Sequence, residues 1–100
     1  MTLADLSQSH ACLSKPEIDR RPAALPRWTH SGGGLEATWV FHDFIEAVGF
    51  VNQIAAVAER AQHHPDITIR WNKVSLSLVT HDAGGITTHD FDLAHQIERL

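Results

Sequence analysis

The chain has 100 residues, 43% of them hydrophobic and 20% charged, which fits one soluble globular domain with a single modest core. Its formal net charge of −4 argues against an extensive phosphate-binding face, and so against direct nucleic-acid binding. No run approaches the length of a membrane span, the N-terminus lacks a charged-then-apolar secretory pattern, and the single cysteine, Cys12, allows no intramolecular disulfide; a cytoplasmic location is expected.

Residues 1–13 show no firm period and read as a flexible arm, which leaves 14–100 as the single domain. Ser14-Lys15-Pro16-Glu17 reads as a capping box opening a short helix, and Pro22 should end or kink that helix near Arg21. From Trp28 to Phe41 the pattern is a hairpin with Gly32-Gly33-Gly34 as its turn, because glycine accepts positive φ at little cost. After the turn, Leu35, Ala37, Trp39 and Phe41 alternate with Glu36, Thr38, Val40 and His42, the signature of a half-buried strand.

Asp43 can cap the next helix, with Glu46 completing the box. Phe44, Val48, Val51, Ala55 and Ala58 form an apolar stripe, broadened by Ile54 and Val57, and predict a helix over 44–63 lying on a sheet. Ile67, Ile69 and Trp71 then alternate on odd positions, whereas Val74, Leu76 and Leu78 alternate on even ones. A slip of one residue turns every side chain over, so the phase change across Asn72-Lys73 predicts a tight hairpin between strands 67–71 and 74–80. Residues 81–85 form an exit loop, and a last helix over 87–99 opens at Thr87 with Asp90 at its third position. The expected fold is α+β: a two-layer sandwich with a four-stranded antiparallel sheet and helices on one face, in the order ββαββα after a short N-terminal helix.

The candidate chemistry lies between Glu59 and Asp90. Glu59 and His63 are four apart, so on a helix they share one face, while His64 projects about 100° away. Pro65 disfavours a helical His64 and should end the helix there. His81 follows the apolar strand and returns to the same spot if that strand packs under the helix. Each feature alone has a plainer reading: His-His-Pro as an exposed helix stop, Glu59 as a solvated pair, and His81 as a loop residue. Their conjunction favours an acid/base site, since imidazole is the side chain whose ordinary titration lies nearest neutrality.

The residues Glu59-x-x-x-His63-His64-Pro65, the Trp71-Asn72-Lys73-Val74 turn, and Thr80-His81-Asp82-Ala83-Gly84-Gly85-Ile86-Thr87 with Asp90 and Leu93-Ala94 resemble pterin-4a-carbinolamine dehydratase. The likeness covers about residues 25–100 and is strongest from 59 to 94. It implies catalytic roles for His63, His64 and His81, with Glu59, Pro65, Asp90 and the aromatic Trp28 contacting a pterin substrate. By this resemblance His63 and His81 move protons and His64 contacts substrate, while the i,i+4 spacing makes Glu59 the group expected to orient His63. Asp90 also has a structural role to play as the cap of its own helix. The resemblance further implies no cofactor, no metal, and a homodimer or homotetramer.

The chain departs from the family pattern at several positions. Arg27 stands where glycine commonly precedes the tryptophan, Arg21 and Pro22 replace aliphatic residues, and Ile67 replaces an aromatic. Two other classes compete with the enzyme reading. A metal site could use the histidines with Asp82 or Asp90, although adjacent helical histidines point apart and no His-x-x-x-His spacing is present. A non-catalytic protein-interaction module of the same fold is the second, a role that some of the family combine with catalysis.

Overall fold

The computed structural model describes residues 12–19 and 25–100. Helix α1 spans Lys15–Asp19, β1 Thr29–Ser31, β2 Gly34–Val40, α2 Phe44–Ala61, β3 Asp66–Arg70, β4 Lys73–Leu78 and α3 Thr88–Glu98, with a 3-10 turn at His81–Ala83. The strands form one antiparallel sheet in the order β1-β2-β4-β3, so the α+β sandwich has the expected composition and sequence of elements. The expected helix stop at Arg21-Pro22 and most of the expected arm, residues 1–11, lie outside the described residues. At the near end of that stretch, Leu13 N–H donates to Ile86 O at 2.7 Å, and the Cys12 thiol donates to Ala83 O at 2.8 Å.

Strand alternation sets the layers. Leu35 and Ala37 of β2 face inward with Val74, Leu76 and Leu78 of β4, and all five are buried. Thr38 and Ser75 share a hydroxyl hydrogen bond of 3.0 Å on the opposite, solvated side. The glycine triplet divides its work. Gly32 and Gly33 take φ of 59° and 84° as the two-residue turn, whereas Gly34 already belongs to β2. A Cβ on Gly34 would lie 2.7 Å from Ser77 Oγ and 3.1 Å from Leu78 O, so that glycine permits close approach to β4.

Helix α2 buries Ile54, Val57 and Ala58 of the predicted stripe, but its first half is rotated from it. Ala47, Phe50, Ile54, Val57 and Ala58 are its buried residues, while Ala55 is exposed and Phe44 is 52% exposed. Apolar residues cover so much of this helix that two settings fit the sequence. Phe50 selects one, stacking against Trp39 and Phe41 with ring centroids 5.0 and 5.1 Å away.

The caps fix where the helices begin. Ser14 and Glu17 exchange the two bonds of a capping box. Asp43 accepts from Glu46 N–H at 2.8 Å, but the Glu46 carboxylate reaches His42 N–H rather than that of Asp43. The second hairpin turns one residue earlier than predicted: Arg70 pairs with Lys73, and exposed Trp71 takes the left-handed φ of 54°.

Candidate active site

Hairpin register brings the histidines together. Asp66 pairs with Ser77, and continuing that antiparallel register runs residues 62–64 opposite residues 79–81. The segment entering β3 therefore meets the segment leaving β4. Between them opens a cavity of about 240 Å³ lined by Gln62, His63, His64, Val79, Thr80, His81 and Asp82. The three predicted catalytic histidines share this one cavity.

How α2 ends decides what each histidine touches. The helix stops at Ala61, and Gln62 takes a left-handed conformation at φ 54°, ψ 37°. Gln62 N–H donates to Glu59 O and His63 N–H to Ala58 O, the paired bonds of a Schellman close. His63 is thus off the helix, and the i,i+4 geometry expected between Glu59 and His63 does not exist. Glu59 Oε1 instead lies 2.7 Å from His64 Nε2, in a pair whose side chains are 74% and 61% exposed. A pair so open to solvent contributes little to stability.

His63 has another partner. Its Nε2 lies 2.5 Å from Asp90 Oδ1, with the Asp90 side chain fully buried and that of His63 15% exposed. The other oxygen, Oδ2, accepts from Thr87 N–H and Thr80 O–H, each at 2.9 Å. Asp90 therefore caps α3 and clamps His63 at once. A carboxylate that only accepts makes His63 Nε2 the donor. This assignment, drawn from the hydrogen-bond network, leaves Nδ1 as the ring nitrogen free to take a proton.

His81 opens the 3-10 turn just past β4 and is exposed. The turn closes on Thr80 O, which accepts from Ala83 N–H and Gly84 N–H at 3.0 Å each. Pro65 follows the pair and sets the chain into β3, outside the cavity lining.

Trp28 does not line this cavity either. Its indole N–H donates to Glu98 Oε1 at 2.9 Å, and its ring meets Trp39 edge-on at 5.5 Å. Arg27 pairs with Glu98 and lies over the Trp39 ring, so it belongs to the same cluster. Ile67 is also outside the lining.

Sequence reasoning placed Thr80 and Thr87 in the motif and at the helix start but gave their hydroxyls no part in the site. The signal was present, since Thr80 continues the inward phase of Val74, Leu76 and Leu78. A polar residue at a buried position needs a partner. Among the described residues, no three His, Cys, Asp or Glu side chains converge in a way that could hold a metal ion.

The family model for pterin 4 alpha carbinolamine dehydratase matches residues 11–100. The chain belongs to that family. A relative named for the same dehydratase in Acidobacterium capsulatum is 51% identical over 90 residues, covering 90% of this chain and 98% of its own. Another, in Roseiflexus sp., is 51% identical over 88 residues, covering 88% and 95%. Among solved structures, a transcriptional coactivator/pterin dehydratase from Brucella melitensis superposes with a TM-score of 0.80 at 30% identity, covering 88% of this chain and 96% of that one. The match extends dehydratase-family similarity through Cys12 and Leu13, further toward the N-terminus than the resemblance starting near residue 25.

Proposed function

We propose that the protein dehydrates 4a-hydroxytetrahydropterin to quinonoid dihydropterin and water in pterin recycling. The observation that carries this reading is the shared cavity in which His63, His64 and His81 meet and one imidazole is clamped by a buried carboxylate.

The reaction requires only proton transfers from the protein. The substrate bears a hydroxyl on C4a beside N5–H. A base takes the N5 proton, the nitrogen pair forms the C4a=N5 bond, and the C4a–O bond breaks as an acid protonates the departing hydroxyl to water. In this reading His63 is the base through Nδ1, because Asp90 fixes its Nε2–H and stabilises the imidazolium that forms. His81 is the acid, and His64 holds the pterin. Each positioned group typically contributes roughly 10²–10⁴ in rate.

Dehydration of freshly made carbinolamine, followed by absorbance with and without the purified protein, tests the reading. A rate equal to the spontaneous one would overturn it. That outcome would favour the second reading, an interaction module, which is motivated by the joint coactivator/dehydratase name of the Brucella melitensis structure. A cytoplasmic homodimer or homotetramer completes the proposal. It is supported by the exposed apolar residues Val40, Phe44 and Ile45, and light scattering that shows a monomer at micromolar concentration would count against it.

A further inference from the structure

Thr80 stands at the junction of the two proton-transfer histidines. Its backbone carbonyl closes the 3-10 turn that begins at His81, and its N–H donates to Gly85 O at 2.9 Å across the base of that loop. Its hydroxyl donates to Asp90 Oδ2 at 2.9 Å, and Asp90 holds His63.

The acceptor-only carboxylate of Asp90 fixes the direction of this network. Thr87 Oγ1 accepts from His89 N–H at 3.2 Å and lies 2.7 Å from Thr80 Oγ1. Since the Thr80 proton goes to Asp90, Thr87 O–H must be the donor to Thr80 Oγ1. The chain runs Thr87 O–H to Thr80, Thr80 O–H to Asp90, and Asp90 to His63 Nε2–H. Thr80, Thr87 and Asp90 are 8%, 0% and 0% exposed, so water has little access to replace a missing member.

We propose that Thr80 is a positioning residue for both histidines: through its hydroxyl it holds the Asp90 carboxylate in the orientation that keeps His63 in the Nε2–H tautomer, and through its backbone it places His81 across the cavity. Thr87 is the relay that orients the Thr80 hydroxyl. The inference rests on the dehydratase reading for its catalytic consequence, but the tautomer of His63 is a property of the protein alone.

The test compares wild type, Thr80→Val and Thr80→Ser. Valine keeps the shape and removes the hydroxyl, whereas serine keeps the hydroxyl. Imidazole ¹⁵N NMR of the unliganded protein should show His63 as Nε2–H in wild type and Thr80→Ser, and as a mixture of tautomers in Thr80→Val. In the carbinolamine assay, Thr80→Val should lose about 10-fold in kcat with KM little changed, and serine should recover most of it. Wild-type kcat and an unchanged His63 tautomer in folded Thr80→Val would overturn the proposal. So would equal losses in the valine and serine variants, which would mark a packing role. An inactive wild type would overturn the dehydratase reading, while the tautomer comparison would still decide the role of Thr80 toward His63. If Thr80→Val fails to fold, Thr87→Val with the same NMR readout takes its place, and an unchanged His63 tautomer there would overturn the relay.

Discussion

Replacing Asp90 by asparagine removes one negative charge and changes one acceptor into a donor while keeping the shape. The amide oxygen can stay under Thr87 N–H and Thr80 O–H, which now bond a neutral acceptor. Bonds to a charged group are worth roughly 1.5–3 kcal/mol and neutral ones roughly 0.5–1.5, so two weakened bonds cost about 2 kcal/mol. For a domain of this size that is roughly 8–16 °C in Tm. The amide NH₂ then faces His63, whose Nε2 must accept, and the ring proton moves to Nδ1. In the proposed mechanism Nδ1 takes the substrate proton, so kcat/KM should fall by about 100-fold or more. Urea titration reads the first effect and the carbinolamine assay the second. A folded Asp90→Asn protein with undiminished kcat/KM would refute the clamp as a catalytic device, and a stability equal to wild type would refute the charged network.

His63→Ala and His81→Ala should each lower kcat/KM by about 10-fold or more, and the double variant should lose less than the product of the two, as groups acting on one event do. Full activity in the double variant, measured in the same absorbance assay, would sink the mechanism. His64→Ala should chiefly raise KM, while Glu59→Gln should change stability by less than about 1 kcal/mol in urea titration, because its pair with His64 is exposed. Gly34→Ala should destabilise by about 1–3 kcal/mol, because the added Cβ strikes Ser77 and the Leu78 backbone. Its denaturation midpoint should fall with the slope unchanged.

The fold was readable because strand alternation has a period of two and tolerates no slip. Leu35 and Ala37 against Val74, Leu76 and Leu78 sorted themselves onto the inner face, and the phase change located the second hairpin. The turn fell one residue early because nothing in the pattern announced a tryptophan in a left-handed position. The setting of α2 was not readable, since Phe44, Val48 and Val51 make as good a stripe as the Ala47, Phe50 and Ile54 line that is buried. At the site, spacing located the histidines but misassigned their partners. The i,i+4 rule holds only while the chain stays helical, and Gln62 leaves the helix one residue before His63. The bond from His63 to Asp90 spans 27 residues and depends on tertiary packing that no local pattern encodes.

The hairpin that joins the histidines also bears on the order in which the chain can assemble. Closing a loop costs more as its length grows, by about (3/2)RT times the logarithm of length. The ties of the Thr80 hydroxyl to Thr87 and Asp90 span 7 and 10 residues, whereas the bond from Trp28 to Glu98 spans 70 and that from Cys12 to Ala83 spans 71. A tie over 70 residues costs roughly 1.7 kcal/mol more to close than one over 10. The two Thr80 ties, which join the end of β4 to the start of α3, therefore cost less to close than the bond from Asp90 to His63, which spans 27 residues. The ties at Trp28 and Cys12 are the costliest of these to close, so they depend most on the rest of the fold being formed.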